Sequence, residues 1–161
     1  MPITELHHVS VRERAVEIGC PVPEIAIMPE NFAVARSVRE LRVRRDGVAL
    51  RSVLEGASFS LGSFCSDAEH ATFGEEDFVH WDATLFISGN LLAREPYAVG
   101  VALSIIRGHL AEYFNAQADR SIRLSLVVEC KQDGSCRKVT YEGDIGGLHG
   151  LAQSAVKIAG R

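Results

Sequence analysis

The sequence predicts an α+β fold: a two-layer domain in which a small, mostly antiparallel sheet, anchored by a hairpin over residues 122–142, is covered by helices. Three observations lead there. From Ile122 to Glu142 the chain alternates polar and apolar residues on either side of Asp133-Gly134, a pair that favours tight hairpin turns. Before the hairpin, Val99, Ala102, Leu103, Ile106, Leu110 and Phe114 recur at helical spacing, and after it Leu148, Leu151, Ala152, Ala155, Val156 and Ile158 do the same. The order helix, strand, strand, helix closes naturally as helices packed on the apolar face of a sheet.

A chain of 161 residues suits a single domain over 1–161 with one core, with residues 1–20 expected as a loosely packed arm. From Glu5 to Ile18 the β-branched residues Val9, Val11, Val16 and Ile18 favour extended structure, although Arg12-Glu13-Arg14 interrupts the alternation. Pro21 and Pro23 oppose a helix, and Glu24 to Met28 reads as a short buried strand ending at Pro29. Ser37 followed by Glu40 has the spacing of a capping box, and Asp46 offers a second N-cap, so two short helices are expected before Gly56. Residues 57–76 lack periodicity and read as a long loop.

Beyond Trp81, Asp82 is expected to cap a helix carrying Leu85, Phe86, Leu91 and Leu92, which ends before Pro96. A second helix spans about Tyr97 to Ala118. Its apolar opening is too short to cross a bilayer and is interrupted by Arg107, His109 and Glu112, so a membrane is not an expected partner. If Asp133-Gly134 is a two-residue turn, Cys130 lies opposite Arg137. Ile122, Leu124, Leu126, Val128, Cys130, Val139 and Tyr141 then share one face, while Arg123, Ser125, Glu129, Lys131, Lys138, Thr140 and Glu142 share the other with Val127 and Cys136. Cys130 and Cys136 fall on opposite faces and are not expected to bridge.

The formal net charge of −4 gives no overall field for nucleic acid. The arginines at 36, 39, 42, 44, 45 and 51 read as the solvated face of helices rather than a phosphate-binding surface. Residues Met1 to Glu17 lack the basic stretch and apolar run of a secretory signal, so a cytoplasmic location with free thiols is expected.

No motif of catalytic strength is present. Cys65, Asp67 and His70 bring a thiol, a carboxylate and an imidazole into one loop, and His80 and Asp82 flank Trp81. The alternative to a binding role is therefore a hydrolase with Cys65 as nucleophile, His70 or His80 as base, and Asp82 assisting. Gly143, Gly146, Gly147 and Gly150 lie between a strand and a helix, where backbone amides can hold a phosphate, but neither the dinucleotide pattern nor the nucleotide-binding lysine accompanies them. A ligand site over 143–150 is a further alternative. No cofactor or metal is expected.

The segments Ile122-Arg123-Leu124-Ser125-Leu126 and Asp133-Gly134-Ser135, and Gly143-Asp144 before Leu148, give residues 97–160 an architecture that resembles the small bacterial effector-associated constant-component domains. The resemblance implies a non-catalytic partner or adaptor of bacterial conflict and signalling proteins, and it supplies no catalytic residue. The expected function is accordingly protein–protein interaction, with another protein or a second copy of the chain as partner. Trp81, Phe86, Leu92, Tyr97 and Val101 are the candidate contact residues.

Overall fold

The structure, a computed structural model, describes residues 3–64, 81–113 and 121–160. It is a two-layer α+β arrangement around a five-stranded, mostly antiparallel sheet in the order β1-β5-β4-β3-β2. The strands are β1 (Ile3–His8), β2 (Ile25–Ile27), β3 (Trp81–Ile87), β4 (Ile122–Glu129) and β5 (Cys136–Gly143), and only the β3–β4 pair is parallel. The helices are α1 (Val11–Ile18), α2 (Arg45–Gly56), α3 (Gly89–Arg94), α4 (Ala98–Tyr113) and α5 (Gly150–Ala159).

One face of the sheet carries the main core. Ile25, Ile27, Trp81, Leu85, Ile87, Leu124, Leu126, Val128, Val139 and Tyr141 meet Leu50 and Leu54 of α2, Leu91 and Leu92 of α3, the buried stripe of α4, and Leu151, Ala155 and Ile158 of α5. The helical spacing read in α4 and α5 is the spacing that buries these side chains, except that Val156, read on the same stripe of α5, is exposed. On the far face a smaller cluster joins Val11, Ala15 and Ile18 of α1 to Phe86, Val127 and Cys136. There the Phe64 ring lies 4.9 Å from Phe32 and 5.6 Å from Phe86 between centroids.

Five local expectations change. Residues 5–18, read as a strand or extended arm, are extended only to His8, where β1 ends; Val11–Ile18 form α1, because Ser10 Oγ accepts the Glu13 N–H at 3.3 Å and Gly19 ends the helix in the left-handed region at φ 77°. The capping box at Ser37 does not form: Ser37 makes no side-chain cap, Glu40 Oε2 accepts the Arg36 N–H at 2.7 Å, and a single 3₁₀ turn spans Val38–Glu40. Asp46 sits inside the first turn of α2, where its carboxylate accepts the Asp82 N–H at 3.0 Å and ties that helix to β3.

The segment expected as a helix capped by Asp82 is β3. Trp81, Ala83, Leu85 and Ile87 face the main core, while on the far face Asp82 and Thr84 are partly buried and Phe86 joins the far cluster, so only the end of the strand is buried on both sides. The following helix, α3, takes its cap from Ser88, whose Oγ accepts the Leu91 N–H at 3.1 Å.

The hairpin keeps its two faces but shifts its register. Leu126 pairs with Val139 and Glu129 with Cys136, and the closing pair is Cys130 with Ser135, joined by Cys130 N–H to Ser135 O at 2.8 Å. Asp133 does not occupy a two-residue turn. Its Oδ1 accepts the Ser135 N–H at 2.9 Å and the Ser135 hydroxyl at 2.7 Å, and Gly134 takes φ 73°, which widens the loop to residues 131–134. A shift of two positions preserves parity, so every side chain remains on its expected face. Cys130 and Cys136 are accordingly free and belong to different clusters.

A candidate interaction groove beside α3 and α4

The β2 margin of the sheet, the loop after α2, and the α3–α4 junction enclose an open groove of about 730 Å³. Its wall on the loop side is set by an unusual helix end. The Phe59 N–H bonds to the Leu54 carbonyl at 2.9 Å and the Ser58 N–H to the Glu55 carbonyl at 3.0 Å, the paired bonds of a Schellman cap. The left-handed position is held by Ser58 at φ 64°, where glycine is the usual occupant. This turn delivers Phe59 and then Leu61 to the groove, partly buried against the main core.

The opposite wall follows from Pro96. Proline disfavours helix in its predecessor, so α3 and α4 are separate, and Tyr97 is left at the corner. Tyr97 is 81% exposed and Val101, one turn along α4, is 50% exposed; Leu91 and Ala98 floor the space between them. At the rim Arg94 forms a two-pronged pair with Glu24, with nitrogen-to-oxygen distances of 2.7 and 2.6 Å. The hydrogen bond from Arg94 holds the Glu24 carboxyl below its ordinary value, and the same bond raises the Arg94 guanidinium.

Of the contact residues read from sequence, Tyr97 and Val101 therefore lie on this groove. Trp81, Phe86 and Leu92 are corrected to core residues: Trp81 and Leu92 are buried in the main cluster and Phe86 in the far one. A side chain sealed between layers of its own fold has no surface to offer a partner. Phe59, Leu61, Arg94 and Glu24 were missed; the Glu24–Arg94 pair joins residues far apart in sequence, a contact no local pattern announces.

Of the catalytic alternative, Cys65, His70 and His80 lie outside the described residues. Asp82 is no helix cap; it lies on the far face of β3, with its carboxylate 3.7 Å from the Arg123 guanidinium. Among the described residues, no group of three or more His, Cys, Asp or Glu side chains is placed to hold a metal ion, and no helix is long and apolar enough to cross a membrane. In the glycine loop Tyr141 packs against Gly143 and Gly147. The Tyr141 hydroxyl donates to the Asp144 carbonyl at 2.6 Å, and a Cβ at Gly147 would meet carbons of the Tyr141 ring at 2.8 Å, so Gly147 makes room for a tyrosine. In the basic segment, Arg44 lies 3.8 Å from Glu30, while Arg51 pairs with Glu55 at 3.0 Å and donates to the Gly62 carbonyl at 2.6 Å.

No protein-family model, curated protein or solved structure matches the chain.

Proposed function

We propose that this chain is a non-catalytic protein–protein interaction or adaptor domain, and that the groove between the loop after α2 and the α3–α4 corner receives a segment of a partner protein. The observation that carries this reading is the placement of exposed Tyr97 and Val101 over an apolar floor, beside the Glu24–Arg94 pair. Tyrosine supplies large contact area at low entropic cost, and the charged rim supplies orientation. The architectural resemblance of residues 97–160 to effector-associated domains agrees with an adaptor role in a bacterial conflict or signalling system, and the cytoplasm is the compartment that suits its free thiols.

Site-specific photocrosslinking tests the reading. A photoreactive phenylalanine analogue in place of Tyr97, in the cells that make the protein, is expected to capture a defined partner. The same group in place of Val16, which is exposed on α1 on the other face of the sheet, is expected not to capture it. Equal capture at both positions, or none at Tyr97, contradicts the assignment.

A further inference from the structure

The two margins of the sheet are finished differently. β2 is a three-residue strand, and the Ile25 carbonyl already accepts the Gly62 N–H at 2.8 Å, so that margin is short and partly covered. β1 at the opposite margin is a six-residue strand that pairs with β5 in unbroken register, and Thr4, Glu5, Leu6 and His7 are all exposed. Proteins blunt a strand of this kind with lysine, proline or a bulge, because its open side is a template for another strand. Residues 3–8 contain no lysine, proline or bulge; their one charge, Glu5, is paired with Arg137, and Leu6, 62% exposed, lies beside it.

We propose that β1 pairs with β1 of a second copy of this chain, antiparallel about a twofold axis at Leu6, so that two five-stranded sheets join edge to edge. The occupant is identified by the strand's complementarity to itself. With the axis at Leu6, Leu6 faces the partner's Leu6, Glu5 faces the partner's His7, Thr4 faces the partner's His8, and Ile3 faces the partner's Val9. Each facing pair is apolar with apolar, acid with base, or hydroxyl with imidazole, the combinations that stabilise adjacent strands. Moving the axis to Glu5 sets carboxylate against carboxylate, and moving it to His7 sets imidazole against imidazole. An axis between Glu5 and Leu6 sets the leucine against the acid. Within its own chain the Glu5 carboxylate lies 3.2 Å from the Arg137 guanidinium.

The pairing is isologous, so it closes as a dimer. It is independent of the groove, which adjoins β2 at the other margin, and a dimer of this form carries its two grooves at its two ends. Two short strands make a small interface, of the size class of weak and transient complexes, so the dimer is expected to dissociate on dilution.

Sedimentation equilibrium of the whole chain over a micromolar concentration series tests the proposal. The expected species are the 17.5 kDa chain and a dimer of twice that mass. Leu6→Lys, which brings two like charges to the axis, and His7→Glu, which sets acid against acid, are expected to weaken dimerisation at least about tenfold. His7→Lys keeps a base opposite Glu5 and is expected to retain it. Both positions are exposed, so far-UV circular dichroism should be unchanged. A monomer throughout the series, a dimer indifferent to Leu6→Lys and His7→Glu, or equal losses in His7→Lys and His7→Glu would overturn the proposal.

Discussion

Replacing Arg12 by methionine should remove a substantial part of the stability of this fold, although nearly half of the arginine side chain faces solvent. The reason is its partner. Glu129 ends β4 with only 4% of its side chain exposed, and its carboxylate accepts Arg12 Nε at 2.7 Å, Arg12 Nη2 at 3.1 Å and the Gly89 N–H at 3.1 Å. One carboxylate thus ties α1, the end of β4 and the start of α3. Charge-assisted, two-pronged bonds are what offset the desolvation of such a group. Methionine keeps the stem and deletes the fork, leaving the buried carboxylate with the backbone N–H.

Breaking a fully buried pair costs about 3–5 kcal/mol. Here water can follow into the half-exposed arginine site, so the expected loss is about 2–3 kcal/mol. Glu129→Gln retains an acceptor for Gly89 and should cost about 1–2 kcal/mol. The double variant should fall short of the sum by about 1–2 kcal/mol, because each single change already removes the same interaction. Urea unfolding followed by the fluorescence of Trp81, the single tryptophan and a core residue, measures all three. Additive losses, or an Arg12→Met loss below about 0.5 kcal/mol, would refute the role assigned to this junction.

Three further outcomes follow from local geometry. Ser58→Gly relieves a left-handed serine at φ 64° and should stabilise by about 1 kcal/mol, raising Tm by about 2–4 °C in thermal unfolding; an unchanged or lower Tm would deny the strain. Gly89→Ala places a Cβ 2.9 Å from the Glu129 carbonyl and from backbone atoms of Lys131, none of which is a free side-chain end, so a loss of about 1–3 kcal/mol in urea is expected, and a neutral result would contradict the close approach. Burial pushes the Cys136 thiol from 9.0 up to about 11. Because the folded value is raised, its stabilising contribution is complete below pH 9 and is lost as pH rises toward 11, at about 1.4 kcal/mol per unit. Cys136→Ala should flatten the fall in stability over that interval, and identical slopes for the two proteins would refute the shift.

What was legible in the sequence was periodic. The faces of the hairpin and the buried stripes of α4 and α5 follow from spacing alone, and a two-position shift of register left the faces intact because parity survives it. What was misread lay where one pattern supports two structures. Ser10-Val11-Arg12-Glu13 and Gly19 carry the cap and the stop of α1, yet the β-branched residues between them drew an extended reading. Trp81 to Leu85 does alternate apolar and polar residues, but the buried run Leu85-Phe86-Ile87 breaks that alternation, and Asp82 reads as a helix cap. That error also turned Trp81 and Phe86 from core into surface. The exposure of Tyr97 and Val101 follows from Pro96, which fixes the helix corner, whereas the Glu24–Arg94 pair depends on a tertiary contact that local sequence does not encode.

The central claim is that Tyr97 and Val101 define a protein-binding groove, and paired affinity capture tests it most directly. The whole chain and the Tyr97→Ala/Val101→Asp variant, matched for Tm, would be used to recover proteins from the same cell extract with quantitative mass spectrometry. The account predicts at least one protein enriched by the native chain, lost with the variant, and restored when Tyr97 alone is reinstated to a measurable fraction of native binding. An identical set of captured proteins from both chains would contradict it.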